Sequence, residues 1–172
     1  MSVIKVNQIQ TANGVIMANL NSSGANAGIQ LASNLAPAFS VTKTSNQSIS
    51  ASTWTKVTYD TEVFDTNNNF ASSRFTPTIA GYYQVITNTM VTTPGSASYF
   101  QTAVYKNGSQ HNILIETQTQ TVSYVSCSGS YLIYLNGLTD YIEIYINTGY
   151  NATIYGDSLP YTYFQGLLVR SA

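Results

Sequence analysis

Charged residues are scarce in this sequence. Six Lys and Arg and seven Asp and Glu make up 8% of its 172 residues and leave a formal net charge of -1, whereas ordinary soluble proteins carry about 25% charged residues. A chain without a basic run cannot neutralise a phosphate backbone, which excludes nucleic acid as a partner. The surface must therefore consist largely of hydroxyl and amide groups, together with many of the 14 tyrosines.

Cysteine and long apolar runs are also lacking. The single Cys127 excludes an intramolecular disulfide and a cysteine-rich metal cluster, so the fold does not depend on an oxidising compartment. The stretch "MSVIKVNQIQTANGVIMANL" has polar residues every few positions and lacks the apolar run of a secretion signal or a membrane span. We therefore expect a protein that is made in a cytoplasm and does not insert into a membrane.

The composition changes near Pro37. Before it, two short apolar clusters are followed by a Ser/Asn/Gly/Ala-rich stretch, which cannot bury enough apolar surface to offset its ordering entropy alone. We predict that residues 1–36 are an extended segment that docks on another protein, pairs with copies of itself or stays mobile, and that residues 37–172 form one domain. The apolar residues assigned to docking are Val3, Ile4, Val6 and Ile9.

From Ala38 onward, short runs rich in Val, Ile, Thr, Tyr and Phe alternate with turn clusters such as "DTNNN", "KNGS", "LNG" and "GDSLP". Short strands at this spacing are typical of an antiparallel sandwich or barrel. No window shows a helical period over more than about one turn. We predict an all-β fold of jelly-roll or Greek-key type, in which Pro77 and Gly81 form the turn of a hairpin that leads into "YYQVI".

The order of several motifs resembles the globular head of complement C1q, a jelly roll related to the tumour necrosis factor superfamily. "RFTPTIAGYYQV" is similar to the phenylalanine strand, proline, glycine and aromatic of that family, "KNGS" to its Asn-Gly hairpin, and "YFQGLLV" to its last strand. The resemblance covers about residues 38 to 170 and implies trimers that bind ligands through loops and outer faces. It departs from the family at "NGLTDYIEI", where a compact Gly-Asp pair is usual. The positions that carry the resemblance are Phe75, Pro77, Gly81, Tyr83, Lys106, Asn107, Gly108, Phe164, Gly166 and Leu168.

The first residues carry a second resemblance. "MSVIKVNQIQTANG" looks like the opening of many fibre-type structural proteins of tailed bacteriophages, especially those of cyanobacteria. This resemblance implies a virion protein, made in the host cytoplasm, whose amino-terminal segment contacts other virion proteins.

Alternation along two strands argues for assembly. In "DYIEIYI", the isoleucines at positions 142, 144 and 146 share one face and belong in the core. In "SYLIYL", both faces are apolar or aromatic, so the second face needs a cover. We expect a homotrimer that buries tyrosines at its axis; the alternative is that these rings are outward residues of a tolerant β surface. The tyrosines assigned to the interface are Tyr131, Tyr134, Tyr141 and Tyr145.

The loop "NTGYNATIYGDSLPYTY" mixes aromatic rings with small polar groups, as adaptable recognition surfaces do. A saccharide suits this mixture, because sugar faces stack on rings and sugar hydroxyls pair with amides and carboxylates. The alternative is an ordinary connection with tyrosines packed beneath it, in which Asp157 serves a turn with Gly156. The candidate ligand residues are Tyr150, Asn151, Tyr155, Asp157 and Tyr161.

No catalytic motif stands out. The sequence contains no Gly-rich phosphate loop, no Gly-x-Ser-x-Gly elbow and no His-Glu-x-x-His pattern, so we expect no enzymatic activity. The only histidine, His111, follows an Asn-Gly turn and is expected to be exposed, while Cys127 is expected to be a small buried filler.

The acidic residues do not form a recognisable metal site. Asp60, Glu62 and Asp65 lie close together, and some relatives of the C1q family bind calcium, but these three lack the spacing of a calcium loop. We interpret them as solvated turn carboxylates, expect no cofactor, and likewise expect Asp140 and Glu143 at the surface.

These observations favour a trimeric fibre or knob of a phage virion that mediates attachment to a glycan or protein on the host surface. Two alternatives stay open. The first is a decoration of the capsid or tail without specific receptor binding, and the second is a soluble lectin outside any virus.

Overall fold

The computed structural model describes residues 8–10, 16–19, 30–31, 36–92, 98–119 and 123–172. The chain divides into two compact units, Met1–Ala36 and Pro37–Ala172. Within the described ranges the secondary structure is all β, and no helix there is long and apolar enough to cross a lipid bilayer.

The first unit contains a small antiparallel sheet in the order β1-β2-β3. Its strands are β1 (Gln8–Gln10), β2 (Ile16–Asn19) and β3 (Gln30–Leu31). Ile9 lies in β1 opposite Ala18. Val3, Ile4 and Val6 lie outside the described residues, so the docking role of this segment stays a prediction.

The second unit is a sandwich of two antiparallel sheets, as the sequence predicts. The seven-stranded sheet contains β4 (Ala38–Thr42), β5 (Gln47–Ile49), β7 (Thr61–Asp65), β10 (Gly81–Thr92), β13 (Tyr124–Leu135), β15 (Ala152–Ile154) and β16 (Tyr163–Ser171). The six-stranded sheet contains β6 (Thr55–Lys56), β8 (Phe70–Ala71), β9 (Arg74–Phe75), β11 (Ser98–Lys106), β12 (Ser109–Thr119) and β14 (Ile142–Thr148).

Strand β10 organises the seven-stranded sheet. Over its whole length it pairs with β13, from Gly81 opposite Leu135 to Thr92 opposite Tyr124. On its other side it pairs first with β16 and then, at Val91, with β15. The sheet therefore has one long continuous pairing, β10 with β13, next to a side assembled from several strands.

The core lies between the two sheets and is rich in aromatic rings. Phe39 of β4 stacks on Phe75 of β9, with ring centroids 4.3 Å apart, and meets Phe164 of β16 edge-on at 4.9 Å. The three isoleucines of β14 at positions 142, 144 and 146 are fully buried, which confirms their predicted inward face. Rings from both sheets thus meet at one point, and offset or edge contacts of this kind stabilise by about 0.5–1.5 kcal/mol per pair beyond burial.

The predicted hairpin at Pro77 and Gly81 is wrong. β9 pairs with β14 in one sheet, whereas β10 pairs with β13 and β16 in the other, so the connection crosses the sandwich. Gly81 is needed for a different reason than a turn: a Cβ atom there would collide with the backbone of Arg170 and Ser171 in β16. The two strands that flank the connection are present as the sequence predicts, but each pairs with strands far away in sequence.

Candidate functional site

Three tyrosines form an exposed cluster at one end of the sandwich, which we call the tyrosine cluster: Tyr124, Tyr155 and Tyr161. The ring of Tyr155 lies between the other two, with centroids 5.2 Å from Tyr124 and 5.8 Å from Tyr161. Tyr124 is 45% exposed and Tyr161 39%. The cluster offers a surface of aromatic rings to solvent.

Backbone and side-chain hydrogen bonds hold the loop that carries the cluster. The amide of Tyr155 donates to the carbonyl of Met90 at 2.8 Å, and the amide of Gly156 donates to Asn46 Oδ1 at 3.0 Å. Asn88 Nδ2 donates to the carbonyl of Tyr161. The sheet beneath them therefore places the rings, and Tyr124 joins them because it begins β13, opposite Thr92 of β10.

Asp157 adds a carboxylate to this surface. The hydroxyl of Tyr155 donates to Asp157 Oδ2 at 2.8 Å, Ser158 Oγ donates to Oδ1 at 2.8 Å, and the amide of Leu159 donates to Oδ1 at 3.4 Å. The hydrogen bond to Asp157 raises the pKa of Tyr155, and the hydrogen bonds from Tyr155 and Ser158 lower the pKa of Asp157. The carboxylate stays ionised near neutral pH, serves the predicted turn, and can accept further hydrogen bonds from ligand hydroxyls.

Two of the five predicted ligand residues do not join the tyrosine cluster. Tyr150 packs against the hydrophobic core. Asn151 lines a separate cavity of about 430 Å³ together with Ser48 and Thr92, and its Oδ1 accepts a hydrogen bond from the amide of Ala51 at 2.9 Å. The structure thus groups Tyr155, Asp157 and Tyr161, and it adds Tyr124, which the sequence pattern did not single out.

A second exposed surface lies on the outward side of the seven-stranded sheet. We call it the apolar face, and it consists of Tyr82, Leu132, Tyr134 and Leu167. Tyr82 and Tyr134 lie opposite each other with ring centroids 5.5 Å apart. Leu132 and Leu167 both lie opposite Gln84, one on each side of it. All four large side chains are exposed, although polar residues are expected on the solvent side of a sheet. Tyr82 and Leu167 lie on the inner strands β10 and β16, whereas β13, which carries Leu132 and Tyr134, pairs only with β10 among the described residues.

The predicted interface tyrosines do not share one surface. Tyr134 belongs to the apolar face, whereas Tyr131 packs against the core, with the ring of His111 edge-on at 5.7 Å. Tyr141 lies beside β14 of the six-stranded sheet, and Tyr145 lies within that strand. Tyr145 stacks on Tyr105 at 3.9 Å, and Tyr141 lies under the guanidinium of Arg74 at 3.7 Å. Sequence alternation separates the two sides of β13, but it shows neither which side is outward nor which neighbouring strands complete the face, so the predicted interface includes Tyr131 and Tyr134 from opposite sides.

Glu143 is the centre of a buried ionic group on the six-stranded sheet. Its Oε1 atom accepts hydrogen bonds from Lys56 Nζ at 2.7 Å and from Arg74 Nε at 3.0 Å. Burial opposes its ionisation, but the hydrogen bonds and charges of Lys56 and Arg74 outweigh burial and hold the pKa of Glu143 below its ordinary value. The expectation of a surface carboxylate is wrong, because Glu143 is only 2% exposed and two basic side chains cover it.

A model of the C1q domain matches residues 38–169 of the chain. The chain belongs to the C1q domain family. Among solved structures, its fold is similar to the globular domain of zebrafish complement 1qA protein, with 16% identity, 79% of this chain and 98% of that chain covered, and a TM-score of 0.54. It is also similar to murine APRIL, with 16% identity, 78% of this chain and 99% of that chain covered, and a TM-score of 0.56. A third similar structure is Eiger TNF from S. frugiperda, with 10% identity, 80% of this chain and 93% of that chain covered, and a TM-score of 0.55. No curated protein matches the sequence.

The residues that carried the family resemblance have structural roles in this C1q domain. Phe75, Tyr83 and Phe164 are fully buried in the core. Asn107 and Gly108 adopt φ angles of 54° and 79° in the turn between β11 and β12, a conformation that asparagine and glycine tolerate best. The family pattern therefore reports the fold and does not by itself locate a ligand.

Asp140 also proves to be buried, contrary to expectation. Lys106 Nζ lies 2.8 Å from its Oδ2, Asn107 Nδ2 donates to Oδ1 at 2.8 Å, and the amide of Asn136 donates to Oδ2 at 3.0 Å. Burial opposes its ionisation, but these partners outweigh burial and lower the pKa of Asp140. In the C1q domain of this chain, the lengthened "NGLTDYIEI" stretch thus ties the β13–β14 connection to the β11–β12 turn.

Of the three acidic residues between positions 60 and 65, Asp60 and Asp65 hold loops through hydrogen bonds. Asp60 accepts hydrogen bonds from the amides of Thr44 at 2.7 Å and Ser45 at 3.0 Å, and from the hydroxyls of both residues. Asp65 accepts from the amide of Phe70 at 2.6 Å, and Glu62 is exposed on β7. Among the residues that the structure describes, no three His, Cys, Asp or Glu side chains are grouped so that they could hold a metal ion.

The remaining two candidates lie where the sequence placed them. His111 is exposed on β12. Cys127 lies in β13 opposite Thr89 of β10 and is buried, and burial raises the pKa of its thiol to about 12. Both predictions about their exposure are confirmed, and neither residue has the environment of an activated base or nucleophile.

Proposed function

We propose that this protein is a structural component of a tailed-phage virion, a trimeric fibre or knob that attaches the particle to a glycan on the host surface. In this proposal the C1q domain is the exposed head, and residues 1–36 contact other virion proteins. The resemblance of "MSVIKVNQIQTANG" to the opening of phage fibre proteins supports the virion context.

The apolar face supports assembly. Contiguous exposed apolar side chains are rare on monomers and typical of surfaces that bind other proteins. A second copy of the chain suits this face, because tyrosine buries its ring at an interface while its hydroxyl reaches a partner or water. Tyr82 and Tyr134 would supply the rings, and Leu132 and Leu167 the aliphatic contacts around Gln84.

The observation that carries the attachment role is the tyrosine cluster with Asp157. The three rings contact one another edge-on or tilted, and the backbone of β10 holds the loop at Tyr155, so the cluster offers a sugar aromatic contacts with little loss of conformational entropy. Asp157 lies at the edge of this surface and can accept hydrogen bonds from sugar hydroxyls. Such a surface suits a neutral, hydroxyl-rich ligand on a cell envelope.

An adsorption competition tests the proposal. Purified full-length protein is added to host cells before the phage whose genome encodes it, and free particles are counted over time. We expect the protein to be a trimer by light scattering and to reduce adsorption in proportion to its concentration. An intact trimer that leaves adsorption unchanged would contradict the attachment role and favour a capsid or tail decoration, while a protein absent from purified particles would contradict the virion role and favour a soluble lectin.

A further inference from the structure

A cavity of about 420 Å³ opens on the six-stranded side of the sandwich. Lys56 of β6 and Arg74 of β9 line it, together with the polar side chains of Asn68, Ser72 and Thr78. Its volume falls within the range of small-molecule sites, about 300–1,000 Å³. The polar lining indicates a hydrated ligand with several hydrogen-bonding groups.

The cavity is positively charged, although charged residues make up only 8% of the chain. Two of the six Lys and Arg residues line it, and no acidic residue is among its lining residues. The carboxylate that pairs with both cations, Glu143, lies beneath them and is 2% exposed. Two positive groups share this one negative group, so the three together carry a net charge of +1.

Arg74 retains donors for a ligand. Its Nε atom is bonded to Glu143, and its guanidinium lies 3.7 Å from the centroid of the Tyr141 ring. Within the part of the chain that the structure describes, the two terminal nitrogens of Arg74 have no hydrogen-bond partner, and its side chain is 42% exposed. A guanidinium held in this way presents a planar pair of donors that matches the two oxygens of an oxyanion.

Lys56 is held beside it. Its ammonium group donates to Glu143 at 2.7 Å and to the carbonyl of Ser72 at 2.8 Å, and an ammonium group has three donors. The loop that contributes Asn68 and Ser72 to the cavity has an unusual backbone, since Asn68, Ser72 and Ser73 all have φ angles between 51° and 57°. Backbone conformations of this kind persist only where the surrounding structure fixes them.

We propose that this cavity binds the acidic group of a sugar, either a uronate carboxylate or a sulfate ester, with Arg74 and Lys56 pairing with the oxyanion. Asn68, Ser72 and Thr78 then lie within the same cavity for the sugar hydroxyls. The inference rests on the proposed attachment to a host glycan and names the kind of residue that the glycan contains. The cavity belongs to the six-stranded sheet, so a trimer closed through the apolar face of the other sheet leaves it open.

The full-length protein is titrated with glucuronic acid, glucose 6-sulfate and glucose while amide chemical shifts are followed by nuclear magnetic resonance. We expect both acids, or one of them, to shift the amides of residues 68–78, and we expect glucose to leave those amides unchanged. Which acid binds identifies the oxyanion. Binding should weaken severalfold as sodium chloride is raised, because the contact is between charges at the surface. Equal shifts with glucose, or none with either acid, would overturn the proposal.

Two variants make the test specific. Arg74→Gln should raise the dissociation constant of the acid about tenfold or more, because a charge-assisted pair is lost. The control variant Arg170→Gln removes an exposed arginine from β16 of the other sheet and should leave the dissociation constant of the acid unchanged. If Arg74→Gln fails to fold, Asn68→Gly replaces it, since glycine suits the left-handed backbone there and removes the whole amide-bearing side chain from the cavity. Unchanged affinity in the folded cavity variant would contradict the site.

Failure of this site and failure of the attachment role give different results. If neither acid binds but the purified protein still competes for adsorption, the proposed acid site is contradicted and the attachment role is not. If the acids bind but the protein does not compete, the cavity stands as a sugar site and the attachment role fails.

Discussion

Tyr82 and Tyr134 lie directly opposite each other on β10 and β13, with ring centroids 5.5 Å apart, and both rings are exposed. Such cross-strand aromatic pairs stabilise a sheet, but two solvent-exposed rings beside exposed leucines form a surface that favours association with another protein. The first prediction concerns this face.

Replacing Leu132, which is 52% exposed on the apolar face, by aspartate should convert the proposed trimer to a monomer. The reason is that a carboxylate would be buried without a partner when the face is covered. Light scattering on the full-length protein measures the mass. Leu138→Asp is the matched control, because Leu138 is 82% exposed in the β13–β14 connection and lies outside the face. A trimer that persists in the Leu132 variant would contradict the assigned interface.

Replacing Tyr161 by alanine should reduce the potency of the protein in adsorption competition about fivefold, because one stacking ring of the cluster is removed. Tyr161→Phe keeps the ring and should retain most of the potency. Equal potency of wild type and alanine variant would show that the rings take no part in adsorption.

Replacing Glu143 by glutamine should lower the free energy of unfolding by about 1–3 kcal/mol, less than for fully buried ion pairs, because Lys56 and Arg74 can partly rehydrate. Urea denaturation measures the loss. Glu62→Gln, on the exposed edge strand β7, serves as control and should change stability by less than about 0.5 kcal/mol. A Glu143 variant as stable as the control would mean that the ionic group makes no net contribution to the free energy of unfolding.

Asp60 predicts a specific acid dependence. Burial would raise its pKa, but the hydrogen bonds from Ser45 and Thr44 outweigh it and hold the pKa of Asp60 well below its ordinary value. A group whose pKa is depressed by folding stabilises the fold above its unfolded pKa of about 4, and this contribution is lost as the pH falls through the folded pKa.

Asp60→Asn should therefore be less stable than wild type by about 1 kcal/mol at neutral pH, and the difference should shrink steadily as the pH drops below about 4. Urea denaturation at a series of pH values checks both statements. A difference that is constant with pH would show that ionised Asp60 does not support the two loops it joins.

Much of the fold follows from local patterns in the sequence. The alternation of "DYIEIYI" is a property of the extended chain itself, so the inward isoleucines could be assigned without knowing any partner. The turn clusters and the order of the C1q-like motifs likewise depend on short stretches. These predictions needed no information about which strands pair.

The sites depend on pairings that local patterns do not contain. Glu143 is on the outward side of β14, as alternation requires, yet Lys56 and Arg74, which cover it, are 87 and 69 residues away along the chain. Tyr124 reaches Tyr155 because β13 and the 155–162 loop both attach to β10. Gly81 was assigned to a turn because nothing in its neighbourhood reveals the approach of β16.

The reactivity of Cys127 can report how often the C1q domain opens. The residue is 1% exposed, and with a thiol pKa of about 12 almost none of it is thiolate at neutral pH. A maleimide can therefore react only after the structure around Cys127 opens, so the rate of alkylation reports how often the core beneath β13 becomes accessible, with no engineered label.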